Sequence, residues 1–239
     1  MTLRTFLILA LLAAFSLGCY LLASQLTYRV GFPLDDAWIH QSYARNLAQR
    51  GEWAFLPGQP SAGSTGPLWA VFLALGYALH FDPSFWAYFL GWLLLTGLGV
   101  LGVLLFRSLS PESERWAPWA GAMLILEWHL VWAAGSGMET LLFTFLVALL
   151  MLLLLRIEYS PEAKKTNGLY VGFFIGLSVW VRPGGITLLA PAFFLTLFLP
   201  GSWRQRLKTM ALVTFGFVLF FLPYLFFNYQ VGDAWWPNT

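Results

Sequence analysis

Long continuous apolar runs, separated by short polar gaps, organise the whole chain. They fall near residues 3–26, 67–81, 84–106, 117–134, 140–156, 168–181, 185–199 and 209–228. Such runs predict helices that cross a hydrocarbon core, because about 20 residues are needed to span one. A β-barrel would alternate apolar and polar residues over short strands between turns, and that alternation is absent. The run at 67–81 is short for a span. Ahead of it lies the longest hydrophilic stretch, residues 27–66. Within that stretch residues 36–50 predict a helix, with Trp38, Ile39, Tyr43 and Leu47 on a rough apolar face suited to the membrane interface. Residues 51–60 carry turn chemistry, and residues 61–69 lead into a second surface helix.

Composition agrees with the pattern. The chain is 59% hydrophobic and 10% charged, with a mean hydropathy of +0.70, whereas soluble domains are about a quarter charged. The expected class is therefore an all-α integral membrane protein. The net charge of +2 offers no case for nucleic acid. The single cysteine, Cys19, excludes an internal disulfide. Arg4 before an apolar core is like a signal peptide, but the run continues past the length of a signal core, so a retained span is expected. No repeat and no linker divides the chain. One domain over 1–239 is expected, with seven spans and two surface helices. The second surface helix closes a first extracytoplasmic loop at 27–83. The chain stops at Thr239 directly after a span, as a fragment or a short member of a longer class would.

Orientation follows from lysine and arginine in the gaps. If 67–81 crosses the membrane, the gap holding Lys164 and Lys165 falls outside, and so does the one holding Arg204, Arg206 and Lys208. If 67–81 stays at the outer surface, those gaps fall inside together with Arg4, Arg107, Arg115 and Arg156. The second arrangement is expected. It places Asp35-Asp36, Gly137-Met138-Glu139-Thr140, Arg182-Pro183-Gly184-Gly185 and Pro237-Asn238-Thr239 at one depth on the outer face.

Four polar clusters at one depth are candidate chemistry. Asp35 and Asp36 form an adjacent acidic pair at a membrane surface; a helix cap is the plain alternative. His40 lies one turn after Asp36 and shares its face, where it would donate to a phosphate or orient Asp36. Arg45 follows on the same helix and would bind lipid phosphate or headgroups. Arg182 ends a short run just before Pro183, placing a guanidinium at the boundary. Glu139 stands at a helix start, which favours an anion. Glu127 is the one carboxylate inside a predicted span, and His129, two residues on, is expected on another face. Trp38, Trp53 and Trp69 are candidate sugar-stacking rings, although interfacial anchoring explains boundary tryptophans more simply.

The ordered set of short motifs resembles a known family. Asp35-Asp36-Ala37-Trp38, Tyr43-Ala44-Arg45-Asn46-Leu47, Pro57-Gly58 and Gly63-Ser64-Thr65-Gly66-Pro67-Leu68-Trp69 occur in sequence. Gly137-Met138-Glu139, Val181-Arg182-Pro183-Gly184-Gly185 and the closing Pro237-Asn238-Thr239 follow. This order is similar to the GT-C glycosyltransferases, in particular the arabinofuranosyltransferase-like and lipid-linked mannosyltransferase-like group. The resemblance implies a GT-C-like bundle and transfer of a sugar from a polyprenyl-phosphate donor to a glycan, lipid or protein acceptor hydroxyl. Transfer would be inverting, on the extracytoplasmic face of a bacterial-type plasma membrane. It implies Asp35 as general base with Asp36 assisting, and His40, Arg45, Glu139, Arg182 and Asn238 as groups binding substrate or lipid phosphate. A divalent cation (magnesium, manganese or calcium) held by Asp35, Asp36 and Glu139 is conceivable chemistry for such oxygen donors, and no spacing demands it. Two departures stand out: Gly184 replaces an acid, and the spans that usually follow the last motif are missing. The rival readings are a non-catalytic GT-C-like assembly module and a transporter of lipid-linked sugars.

Overall fold

The computed structural model describes residues 1–159, 164–198 and 200–237. Among these the chain is helical apart from one small hairpin and the turns. Helix α1 (Leu3–Thr27) is capped by the Thr2 side chain, which accepts from the backbone N–H of Thr5. Helix α2 (Asp35–Arg50) closes on Gly51, whose φ of +69° suits a left-handed C-terminal cap. The expected turn appears as strands β1 (Ala54–Leu56) and β2 (Gln59–Pro60), joined through Gly58 at φ +76°. Helix α3 (Pro67–Ala78) follows. At about 1.5 Å per residue it is too short to cross a core of about 30 Å.

Helix α4 (Pro83–Leu109) is capped by Asp82. A 3-10 turn then leads into α5 (Ala117–Leu126), α6 (Trp128–Gly135), α7 (Thr140–Tyr159) and α8 (Lys164–Val181). A second 3-10 turn, Pro183–Leu188, precedes α9 (Leu189–Phe198). The last helix, α10 (Trp203–Gly232), opens with a reciprocal capping box between Ser202 and Gln205. Three helices, α1, α4 and α10, are long and apolar enough to cross a membrane. The remaining apolar helices are shorter.

One expected span is not a single helix. Residues 117–134 break at Glu127, whose φ/ψ of −66°/123° is extended. Its Oε2 accepts the Leu130 N–H at 2.9 Å and so caps α6. His129 Nδ1 lies 2.7 Å from Oε1 of the same carboxylate. The expected separation of Glu127 and His129 onto different faces therefore fails, because the backbone between them is not helical.

Two apolar clusters form the core. The first gathers α1, α3, α4, α5 and the start of α7 around Leu9, Leu73, Leu95, Ile125 and Leu141. The second gathers α8, α9 and α10 around Val171, Ile175, Val213 and Tyr224. Phe174 packs against both. The seam between α8 and α10 is a stripe of small residues. A side chain at Gly172 would collide with the Val213 carbonyl, one at Gly176 with Phe217, and one at Gly216 with the Leu169 carbonyl. Apolar lipid gives no hydrophobic drive between helices, so such close backbone approach supplies the packing energy.

The two ends of the bundle differ in charge. Arg107 and Arg156 line one cavity, and Gly168 at the start of α8 abuts Thr209 near the start of α10. Arg204, Arg206 and Lys208 therefore share that basic end. At the other end Tyr20 fills the space beside Gly135, Phe32 that beside Gly137, and Ala62 that beside Gly232.

Gly172→Leu is expected to destabilise the protein by about 1–3 kcal/mol through overpacking, read as a lower thermal unfolding midpoint in detergent. Gly18→Leu, with open space around its Cβ position, is expected to leave the midpoint unchanged.

Candidate functional site

A buried carboxylate organises the non-basic end. Glu139 precedes α7, and its carbonyl accepts the Phe143 N–H at 3.0 Å, so it takes the N-terminal cap position. It is 1% exposed. Its Oε2 lies 3.0 Å from His40 Nε2, and its Oε1 lies 3.2 Å from Arg182 Nε. Burial pushes the Glu139 carboxyl up, but the His40 hydrogen bond and charge, its own backbone N–H and the Arg182 charge hold it below its ordinary value. An ionised Glu139 can only accept, so His40 Nε2 carries the donated proton. On the ring's far side Ser64 Oγ stands 3.4 Å from Nδ1. Ser64 and His40 are both buried.

The surrounding motifs converge by close packing. Gly66 sits where a Cβ would meet the Val181 carbonyl oxygen at 3.1 Å, His40 Cε1 at 3.2 Å and Glu139 Cγ at 3.4 Å. Three segments distant in sequence thus press on one glycine. Pro67 at the first position of α3 fixes the chain direction just after that contact. Gly137 adopts φ +74°, and Phe32 occupies the space where its side chain would project. The indole N–H of Trp69 donates to the Gly137 carbonyl at 2.8 Å. Tyr43 ties the hairpin loop down: its hydroxyl lies 2.6 Å from Ser61 Oγ and accepts the Gly63 N–H at 3.0 Å. Asn46 donates to the Ala54 carbonyl at 2.8 Å.

The acidic doublet stands beside this cluster without entering it. Asp35 and Asp36 are exposed in the first turn of α2. The cap position belongs to Leu34, which has no side-chain acceptor, so neither aspartate is the N-cap. Asp35 Oδ1 accepts the Asp36 N–H at 3.0 Å. Asp35 precedes His40 by little more than one turn, about 7 Å along the axis. The two cavities of about 490 and 400 Å³ are lined by neither the doublet nor the arginine–proline corner.

The other expected site residues divide clearly. His40, Glu139 and Arg182 come together. His40 pairs with Glu139 rather than Asp36 and is too buried to meet a surface phosphate directly. Both oxygens of Glu139 are engaged, Oε2 by His40 and Oε1 by Arg182. The Arg182 side chain is 49% exposed and keeps outward donors. Arg45 is exposed, within electrostatic reach of Tyr77, and joins no ion pair among the described residues. Asn238 lies outside the described residues. Asp35, Asp36 and Glu139 do not fit a cation: no group of three or more His, Cys, Asp or Glu among the described residues is arranged to hold one. Trp69 is buried and holds Gly137, and Trp53 packs between Tyr43 and Phe227, so neither ring offers a free sugar-stacking face. Trp38 remains exposed against Phe32.

Ser64 and Gly66 were not singled out within their motif. Their only sequence signal is a run of small residues ahead of Pro67. Gln41, buried beside His40 with neither amide atom hydrogen-bonded among the described residues, gave no signal.

Comparison with known protein families, with curated proteins and with solved structures finds no match to this chain.

Glu139→Ala is expected to cost about 3–5 kcal/mol, because it strands His40 and Arg182 without their acceptor. The Glu139 carboxyl is depressed in the folded state, so the unfolded chain binds the extra proton first as pH falls. Its contribution is complete above the ordinary value of 4.5 and is lost below it, through the lower folded value. Thermal unfolding midpoints measured from pH 7 to pH 3 should fall more steeply for the wild type than for Glu139→Gln.

Proposed function

We propose that this chain is a GT-C-like membrane glycosyltransferase, or the membrane module of one, using a polyprenyl-phosphate sugar donor. One observation carries it. The motifs His40, Ser64-Thr65-Gly66, Glu139 and Arg182 meet at one buried carboxylate, next to the only adjacent acidic pair in the chain. Ordered motifs that shared no site would have no reason to converge.

In the proposed architecture α1, α4, α5 with α6, α7, α8, α9 with its 3-10 turn, and α10 make seven passes. Helices α2 and α3 lie at the interface. In this architecture the basic end faces the cytoplasm and the Glu139 end faces outward, a placement that the distribution of arginine and lysine supports.

The chemistry uses an acceptor hydroxyl, a poor nucleophile until a base removes its proton. Asp35 is that base, its carboxylate held through Oδ1 by the Asp36 N–H, with Oδ2 unpaired among the described residues. The acceptor oxygen attacks the anomeric carbon from the face opposite the phosphate. The new C–O bond forms as the bond to the donor phosphate breaks, and that electron pair leaves on the lipid phosphate. One displacement inverts the anomeric centre. Arg182, fixed through Nε by Glu139, presents its remaining N–H groups to the growing phosphate charge. His40 and Glu139 position that guanidinium. The acceptor is a glycan, a lipid or a protein.

A second reading, movement of a lipid-linked sugar without transfer, draws on the broken helix at Glu127. Against it, that carboxylate is committed to capping α6 and to His129, and the other acidic groups of the site gather at one end.

Full-length protein incubated with polyprenyl-phosphate sugars should form glycosylated acceptor, and Asp35→Asn should lower kcat by about 100-fold or more. Undiminished transfer by Asp35→Asn removes that residue from its role. Donor crossing vesicles without product favours the transport reading. Orientation is checked with Cys19→Ser protein carrying Lys165→Cys or Gln205→Cys: both are expected to react with a membrane-impermeant thiol reagent only after the membrane is opened.

A further inference from the structure

The bundle carries a second lipid-facing feature at the end remote from Glu139. An apolar cavity of about 490 Å³ lies between α4, α7, α8 and α9. Val147, Ile175 and Leu188 wall its depth, and Leu109, Leu155 and Phe198 lie toward the basic end. Leu109 and Leu155 also line a second cavity of about 400 Å³, together with Arg107, Ser108 and Arg156. The two hollows therefore adjoin, with Leu109 and Leu155 in the walls of both: one is apolar, the other cationic. From Val147 to Arg156 helix α7 rises about 14 Å, close to half of a hydrocarbon core of about 30 Å. The apolar part is as deep as one leaflet.

Among the described residues the cationic mouth is short of acceptors. Arg107 places one terminal nitrogen 3.1 Å from Glu114 Oε1, while its Nε is buried and has no hydrogen-bond partner among the described residues. Arg156 is exposed and makes no ion pair among them. The accessible part of the Arg107 side chain, 29% exposed, and the exposed Arg156 can give a phosphate oxygen charge-assisted bonds. We infer that these adjoining hollows are a binding site for one anionic phospholipid of the leaflet at the basic end, its acyl chain between α7 and α9 and its phosphate between Arg107 and Arg156. Charge complementarity selects the headgroup, and leaflet-deep apolar walls select a single chain over a soluble anion. This site lies at the opposite end from the proposed donor site and stands independently of the transferase reading.

Native mass spectrometry of the full-length protein released from detergent tests this directly. The probes are phosphatidylglycerol and phosphatidylcholine with identical acyl chains, and inorganic phosphate. Wild type should retain one phosphatidylglycerol at least tenfold more than phosphatidylcholine. R107Q/R156Q should fall to the phosphatidylcholine level, and R156Q alone, at an exposed position, should fall part of the way with an unchanged unfolding midpoint. Met151→Trp, which fills the apolar wall from an exposed position, should weaken both lipids. Equal retention of the two lipids by wild type, undiminished phosphatidylglycerol on R107Q/R156Q, or full retention by Met151→Trp would overturn the assignment. Binding of inorganic phosphate as strong as that of the lipid would overturn it too. So would a dimer that forms only as lipid is lost, because the groove would then belong to a second copy of the chain.

Discussion

A buried carboxylate between a histidine and an arginine holds the less basic end of this molecule together. An ionised carboxylate in apolar surroundings costs several kcal/mol unless its oxygens are matched. Glu139 meets that demand only if α2 delivers His40 to one oxygen and the corner after α8 delivers Arg182 to the other. The contact therefore links the larger apolar cluster, which includes Ala37 and Ala44 of α2, to the helix that anchors the smaller one. Gly66 makes the approach possible, since any side chain there would press on all three segments at once. The outward half of Arg182 is a by-product of this geometry: its Nε is tethered, and the rest of the fork faces whatever reaches the surface.

Polarity is distributed along the bundle in the same sense. Arginine and lysine gather where α4 ends, where α8 and α10 begin, and where α1 starts. Buried ion-paired chemistry, the acidic doublet and the tied-down hairpin gather at the opposite end. Between them the helices offer lipid a wide apolar belt, with Leu11, Phe15, Phe194 and Phe215 among the exposed apolar side chains. The hollow near Arg107 and the cluster around Glu139 thus lie at opposite ends of the bundle.

Much of the helical layout was legible because it depends on local signals. The α2 boundary follows from a drop in hydropathy and from Gly51, and the hairpin follows from Pro57-Gly58. The shortness of the apolar run after Pro67 marked a short helix there, which α3 is. The break at Glu127 was hidden, because an apolar run looks the same whether it is one helix or two, and a carboxylate that caps α6 leaves no trace in hydropathy. Assigning Glu127 and His129 to different faces assumed a helix that the backbone does not form. The site was legible only as separate pieces. His40 and Glu139 are 99 residues apart, so no local pattern could show that they face each other. Burial turned His40 from a surface donor into a positioning group, and it removed Trp69 from the candidate sugar platforms. The exposure of Asp35 and Asp36 likewise follows from their place on the outer side of the first turn of α2, whose Ala37 is buried, and not from their residue types.

The most direct measurement is a structure of the full-length protein bound to a phosphonate analogue of a polyprenyl-phosphate sugar, in which the scissile oxygen is replaced by carbon. The account predicts the phosphonate within hydrogen-bond distance of the Arg182 guanidinium, Glu139 still between His40 and Arg182, and the anomeric carbon turned toward Asp35. An analogue seated at the basic end, or one held at the outer end with Arg182 withdrawn from Glu139 and Asp35 facing away, would contradict it.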